Sequence, residues 1–299
     1  MRVFVTGGTG AIGIHTVPAL IAAGHTVTAL ARSETKAAAL QAQGAMPISV
    51  SLFDRAGLTA ALADHDAVVN LASSLPSTTA FILKSAWSEC ERVRTEGSAT
   101  VVDAARDAGI QKLIQESVSM IYRDGGADWI SEDHPVDHYP ITRGNHAAEA
   151  SAHRFVGDAT ILRFGVFYGP HATHSEQLLD MAKWHIGFVP GRSDTYLSSI
   201  HVVDGAAAVV AALAAPGGTY NIVDDTPLTK REYAQACAAA VGRRIWFNAP
   251  GRLGLLLGDR LTSMTRSLRV SNKHFRDACD WSPRYPSAAE GYRALAQLR

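Results

Sequence analysis

The sequence predicts an α/β fold, a doubly wound parallel sheet of the Rossmann type carrying a small C-terminal lobe. Three observations lead there. The chain opens on a short apolar strand that runs directly into a glycine-rich turn, Thr6-Gly-Gly-Thr-Gly-Ala-Ile-Gly13. Strand-like and helix-like hydrophobic periods then alternate through the first half. The strand-like stretch Ala67–Leu71 is mostly apolar, as a strand covered on both faces should be. With 299 residues the chain can bury a large core. The expected division is a sheet core over 1–165 and a lobe over 166–299, interleaved with the last sheet strands.

Arg2–Thr6 reads as the first strand, and the helix after the turn runs to about Ala23, with Gly24 where a helix C-cap belongs. Thr26–Leu30 is the second strand, and Lys36–Gln43 is helical, ending at Gly44. Met46–Ser51 reads as a third strand, Leu58–Ala63 as a short helix and Ala67–Leu71 as a fourth strand. A long helix covers Trp87–Ala108 and stops at Gly109. Lys112–Glu116 starts the fifth strand, Thr142–Phe155 is the next helix and Thr160–Phe164 the sixth strand. After that the order loosens. Tyr168-Gly-Pro-His171 opens an insertion, His201–Leu213 and Thr229–Val241 read as helices and Thr219–Val223 as a short strand. Leu261–Pro286 mixes Arg, Trp, Tyr and Pro.

Gly7, Gly10 and Gly13 are spaced G-x-x-G-x-x-G between strand and helix. The first allows a tight turn with positive φ, the second a close approach to backbone, and the third close packing of helix on strand. Thr9, Ala11 and Ile12 supply the intervening backbone, whose free N–H groups and helix dipole suit a pyrophosphate. This is the logic of a dinucleotide site.

The 28 basic and 28 acidic residues balance, so no global field draws the chain to nucleic acid or an anionic membrane. Cys90, Cys237 and Cys279 are odd in number and unclustered, which fits a reducing compartment and gives no disulfide framework or zinc spacing. No secretion signal is visible and Leu253–Leu257 is too short to span a bilayer, so a soluble cytoplasmic protein is expected. Of the twelve histidines, His134, His138, His146, His153, His171 and His174 crowd two stretches. None has a zinc spacing, and no metal site is expected.

Thr6–Gly13, Val68-Val-Asn-Leu-Ala72, Leu162-Arg-Phe-Gly-Val-Phe-Tyr-Gly-Pro170, Ile200-His-Val-Val-Asp204, Thr219-Tyr-Asn-Ile-Val223 and Trp281-Ser-Pro-Arg-Tyr-Pro286 occur in that order. Together they resemble the extended short-chain dehydrogenase/reductase superfamily, the group that contains nucleotide-sugar epimerases and dehydratases. The resemblance covers nearly the whole chain. It implies a nicotinamide cofactor under a small C-terminal lobe, and dimerisation through the helices near Thr95 and Thr142.

In Rossmann sites the residue ending the second strand reads the adenosine ribose, and an acid there repels a 2′-phosphate. Leu30-Ala-Arg-Ser33 has no acid. Arg32 offers a guanidinium, Ser33 a hydroxyl and Lys36 a further charge, which favours NADP(H) over NAD(H). The competing role for Arg32 is stacking on adenine. In Ser51-Leu-Phe-Asp54 the resemblance places Leu52 in the adenine slot, with Ser51 in place of the usual acid. It places Leu71, Ala72 and Ser73 under the pyrophosphate and ribose.

The superfamily's acid–base pair is Y-x-x-x-K with a serine, the lysine lowering the tyrosine pKa. That pair is missing. Ile141 falls at the tyrosine, Asn145 at the lysine and Val118 at the serine, and Thr95 replaces an asparagine of the long helix. The candidates left are Tyr139 with Arg143 as a shifted Y-x-x-x-R, Tyr122, and Ser117 or Ser119 beside Val118. Trp129, in the acidic lid-like loop Asp124–Asp133, and Trp87 are placed to reach the pocket, and Arg266 and Arg269 to meet anions. The expected activity is an oxidoreductase acting on a small organic carbonyl or alcohol. The alternatives are a redox-inactive NAD(P)-binding sensor and a nucleotide-sugar epimerase or dehydratase. The missing Y-x-x-x-K argues against the latter.

Overall fold

A computed structural model describes residues 1–81, 83–248 and 262–298. The stretch Leu253–Leu257 therefore lies outside the described residues. Seven parallel strands form one sheet: β1 (Arg2–Thr6), β2 (Thr26–Leu30), β3 (Met46–Ile48), β4 (Ala67–Asn70), β5 (Lys112–Val118), β6 (Asp158–Phe164) and β7 (Gly218–Ile222). Their order across the sheet is β7-β6-β5-β4-β1-β2-β3, every neighbour parallel. The direction of winding reverses between β1 and β4, so the crevice for a ligand opens there, at the C-terminal edge.

Helices cover both faces: α1 (Gly13–Ala22), α2 (Glu34–Ala42), α3 (Arg55–Leu62), α4 (Ser88–Arg92), α5 (Ser98–Asp107), α6 (Arg143–His153), α7 (Thr173–Lys183), α8 (Val202–Ala212), α9 (Lys230–Ala240), α10 (Lys273–Ala278) and α11 (Ala288–Gln297). Val3, Val5, Val17, Leu20 and Val209 fill the layer under α1 and α8. Phe4, Leu58, Val68, Val101 and Leu113 fill the layer under α3 and α5. The helix stops expected at Gly24, Gly44 and Gly109 have φ of +84°, +88° and +74°.

The sequence reading differs from the structure in three places. The third strand ends at Ile48, three residues short of Ser51, and Ser49, Val50 and Ser51 line a cavity shared with Arg32. The long helix is α4 and α5 joined by a π-helical turn, Val93–Gly97. The insertion after Tyr168 contains α7, and the chain ends in α11, neither of which had been read. These two helices and α9 enclose a separate apolar centre of Tyr168, Leu179, Tyr233 and Tyr292.

Asp204 ties this outer region to the sheet. It stands in the first turn of α8, and its carboxylate accepts the backbone N–H groups of Arg284 at 2.9 Å and Tyr285 at 3.0 Å. The Trp281 indole donates to the Asp204 carbonyl at 3.2 Å. Two of the family-like segments thus meet at one carboxylate. Asp204→Ala is expected to cost roughly 2–3 kcal/mol, because it strands two backbone donors. The drop in urea midpoint at constant slope measures it.

Candidate functional site

The glycine turn is built by contact. Gly7 has φ +71°, and a Cβ there would lie 2.4 Å from the Leu71 carbonyl oxygen. A Cβ on Gly13 would lie 2.1 Å from the Gly7 oxygen. Gly10 N donates to that same oxygen at 2.9 Å. Ile12 is the N-cap of α1 with no side-chain cap, and the N–H groups of Ala11 and Ile12 have no backbone acceptor among the described residues. An uncapped helix N-terminus of this kind is an anion site.

Lys36 reaches back across the turn. Its ammonium donates to Thr9 Oγ1 at 2.9 Å, and its backbone N–H meets Ser33 Oγ, the N-cap of α2, at 3.4 Å. Arg32 is exposed at the mouth of a cavity of about 890 Å³ that Ser51, Leu52, Phe53, Glu89 and Val93 also line. Asn70 fixes the floor. It accepts from Thr6 Oγ1 at 2.5 Å and donates to Gln115 Oε1 at 2.8 Å and Ser98 Oγ at 3.2 Å. Leu71 is buried and Ala72 and Ser73 are half-buried as the chain passes the turn. The residues read as cofactor-binding are therefore neighbours along one edge.

Of the residues read as catalytic, Ser117 and Tyr122 are linked through Glu149 and Arg163, and Tyr139, Arg143 and Asn145 lie outside that link. Ser117 donates to Glu149 Oε1 at 2.6 Å. Arg163 grips the same carboxylate at 2.9 and 2.8 Å and donates to the Tyr122 hydroxyl at 2.9 Å. Tyr122 in turn donates its hydroxyl hydrogen bond to Asn221 Oδ1 at 2.8 Å. All five side chains are buried, and burial pushes the Tyr122 phenol up to about 12. Ser117 and Tyr122 thus belong to a network joining β5, β6, β7 and α6. Removing one partner of such a buried pair costs roughly 3–5 kcal/mol.

Tyr139 precedes a single 3-10 turn, Pro140–Thr142, and donates its hydroxyl proton to the Met120 carbonyl at 2.7 Å. Burial raises its pKa as well, against the Arg266 guanidinium 4.8 Å over its ring. Arg143 is exposed and has no part in this cluster. β5 ends at Val118, so strand alternation stops there, and Ser119 opens a 3-10 turn as a buried residue.

Asn145 is buried with its Oδ1 accepting from Arg94 Nη1 at 2.8 Å, and Arg94 Nη2 bonds both Glu116 oxygens at 2.8 and 3.0 Å. Thr95 donates to the Glu91 carbonyl of its own helix at 2.7 Å. The buried charged side chain of the π turn is Arg94, which the sequence reading missed, together with its partner Glu116. Nothing in the local pattern distinguishes a buried arginine whose partner lies on a strand.

The loop at Trp129 is paired, Trp129–Ile130 running parallel to Arg269–Val270, with the Arg269 guanidinium 4.3 Å over the exposed indole. Arg266 donates to the Tyr122 carbonyl at 2.6 Å and forms an ion pair with Asp137. Both arginines are engaged in holding this loop. Trp87 is buried and donates to the Phe81 carbonyl at 2.8 Å.

The sequence pattern of the NAD-dependent epimerase/dehydratase family matches residues 3–223. The chain belongs to that family. It is 30% identical to a 3-diazoavenalumate denitrifying reductase of a Streptomyces species, over 97% of this chain and 99% of that protein. It is 33% identical to a Stigmatella aurantiaca ketoreductase of a farnesylated dihydroquinoline oxide, over 87% of this chain and 80% of that one. Among solved structures it resembles the human epimerase family protein SDR39U1 with NADPH, at TM-score 0.83, 24% identity and full coverage of both chains. It also resembles Thermus thermophilus UDP-glucose 4-epimerase with NAD, at TM-score 0.79 and 24% identity, over 99% and 98% of the two chains. At this identity the structural likeness carries the fold.

Both candidate tyrosines hold their protons in bonds to fixed acceptors. In a spectrophotometric titration, Tyr122→Phe and Tyr139→Phe are each expected to leave the phenolate absorbance below about pH 10 unchanged, the value at which an ordinary tyrosine is half ionised. A lost step in that range would show that one of the phenols is free to exchange its proton.

Proposed function

We propose that this member of the epimerase/dehydratase family is an NADP(H)-dependent reductase of a small organic electrophile, and that its electrophile draws no proton from a tyrosine–lysine pair. The observation that carries the reading is the uncapped helix N-terminus under a glycine turn, with the Lys36 ammonium held over that turn by Thr9. Support also comes from the two relatives named as reductases.

Gly7, Gly10, Ala11, Ile12 and Gly13 would hold the pyrophosphate. Leu52 would line the adenine slot, and Leu71, Ala72 and Ser73 would pass beneath the riboses. Arg32, Ser33 and Lys36 would take a 2′-phosphate, since two cations stand there and no carboxylate occupies positions 30–33 at the end of β2. The cofactor, when bound, supplies a hydride. The chain's own residues bind and orient it and exclude water from the reacting end, where Val118 and Ile141 are apolar and Asn145 is engaged with Arg94.

This surrounding favours one kind of acceptor. A ketone taking a hydride must also gain a proton at oxygen. An aryl diazonium ion needs none: Ar–N₂⁺ + H⁻ gives Ar–H + N₂, the new C–H bond using the hydride pair and nitrogen leaving with the C–N pair. An epimerase would need the acid–base pair that Ile141 and Asn145 replace.

Two experiments test the reading. The purified protein is assayed for loss of reduced-nicotinamide absorbance with an aryl ketone and with an aryl diazonium salt, against a no-enzyme control. NADPH consumption with release of dinitrogen is expected for the diazonium salt, and little for the ketone. Turnover of neither, with no binding of either dinucleotide, would refute it. In the second, Arg32→Asp is expected to weaken NADPH binding roughly 10- to 100-fold, as loss of a charged hydrogen bond does, and NADH binding far less. Equal losses would remove the 2′-phosphate assignment.

A further inference from the structure

One corner of the outer region carries the most exposed aromatic side chains among the described residues. Trp184 and Trp246, two of the five tryptophans, are each 79% exposed, and Phe247 is 60% exposed. Trp87 and Trp281 are buried, and Trp129 lies under the Arg269 guanidinium. Short-range bonds fix this corner. α7 ends at Lys183, and His185, at φ +62°, turns the chain after it. The His185 carbonyl accepts from the backbone N–H groups of Trp246 at 3.0 Å and Phe247 at 3.2 Å. Its Nδ1–H donates to the Arg244 carbonyl at 2.7 Å, and its ring stacks on the Trp246 indole at 3.6 Å and 9°. Ile186–Gly187 then pairs in parallel with Phe247–Asn248. Trp246 is thus fixed in orientation while most of its surface stays in water.

The same two segments are basic. Residues 183–188 and 243–247 hold Lys183, Arg243 and Arg244 and no acid. Lys183 is joined at 3.0 Å to Asp180, one turn back on α7. Arg243 and Arg244 are exposed, and their guanidinium groups form no ion pair or hydrogen bond among the described residues. A chain with no net charge therefore gathers cations around its exposed indoles. A helix C-terminus favours a cation, and α7 and α9 both end here, which accounts for a basic residue at each but not for the aromatic side chains. Trp184, Phe188, Trp246 and Phe247 together present roughly 500–600 Å² of surface, at about 200–250 Å² for each fully exposed side chain. A stable protein interface buries more, about 800 Å² on each partner. Insertion among lipid headgroups needs less. There an indole sets its ring at the edge of the hydrocarbon and its N–H in the polar layer, and arginine meets phosphate. We propose that this corner is a peripheral docking surface for an anionic lipid membrane. Trp184, Trp246 and Phe247 enter the headgroup layer, and Arg243 and Arg244 pair with lipid phosphates. Among the described residues no helix is long and apolar enough to cross a membrane, so the contact is with one leaflet.

The test mixes the purified protein with vesicles of phosphatidylcholine, alone or with phosphatidylglycerol added. Binding is read by co-sedimentation and by tryptophan emission. Wild type is expected to sediment with the anionic vesicles and to show a blue-shifted emission, and to bind phosphatidylcholine alone at least tenfold more weakly. High salt is expected to weaken the anionic binding by screening it. Arg243→Glu combined with Arg244→Glu is expected to weaken it at least tenfold, since each basic side chain near such a surface raises partitioning roughly fivefold. Trp184→Ala is expected to lose both the binding and most of the blue shift. Urea midpoints are expected to match wild type, and if that of Trp184→Ala falls, the arginine pair alone decides. No sedimentation with anionic vesicles overturns the proposal, and so does equal binding by the arginine variant. A dimer in solution that Trp184→Ala converts to monomer overturns it too, and assigns the corner to a second copy of the chain.

Discussion

The working edge of this molecule depends on how closely the backbone after β1 passes the backbone after β4. At Gly7 there is no space for even a methyl group against the Leu71 carbonyl, and at Gly13 none against Gly7 itself. That contact brings α1 in over the sheet with its first N–H groups unused, and it brings the Leu71–Ser73 segment beneath them. Asn70 holds the two at one height by bonding across to β1 and β5 at once. Everything proposed about ligand binding follows from this tight crossing, because an uncapped helix end is useful only where the chain around it leaves room for a ligand.

Around β5 the polar side chains are held by two buried ion pairs, both of which meet α6, through Asn145 and Glu149. Arg163–Glu149 absorbs the hydroxyls of Ser117 and Tyr122, and Arg94–Glu116 absorbs the carbonyl of Asn145. Each pair holds its polar neighbours in bonds to other buried side chains. Burial raises the phenols of Tyr122 and Tyr139 instead of lowering them, since the nearby guanidinium groups are occupied with carboxylates. Lowering a phenol toward neutrality needs an unneutralised cation beside it, and the arrangement around β5 offers none to either tyrosine.

Legibility from the sequence followed the range of the interactions. β1, β2, the helix stops and the glycine turn are set by neighbours a few residues apart, and their boundaries could be read almost to the residue. α7 could not, because Thr173–Lys183 is mostly polar and becomes a helix wall only against Tyr233 and Tyr292. Thr95 lies within the π turn Val93–Gly97, whose buried residues are Val93, Arg94 and Gly97, and its hydroxyl turns back on its own helix. Tyr122 is fixed at longer range. Its segment looks like the family's serine strand, but its role is decided by Arg163 and Asn221, 41 and 99 residues away.

Charge is distributed unevenly along the edge, and this bears on the proposed chemistry. The corner proposed for the adenine half presents Arg32 and Lys36, with Lys36 positioned by a hydroxyl and, among the described residues, by no carboxylate. The β5 end presents an arginine already neutralised by Glu116, behind an amide. Affinity for an anionic dinucleotide would then be concentrated at the end remote from the reaction. The reacting end, bordered by Val118 and Ile141, would lack both a mobile proton and a net charge. In such surroundings a neutral carbonyl gains little, because the oxyanion formed on reduction would have neither a cation nor an acid to receive it. An acceptor that begins positive and ends neutral loses its charge as it reacts, and an apolar, proton-poor site then favours the product side of the step.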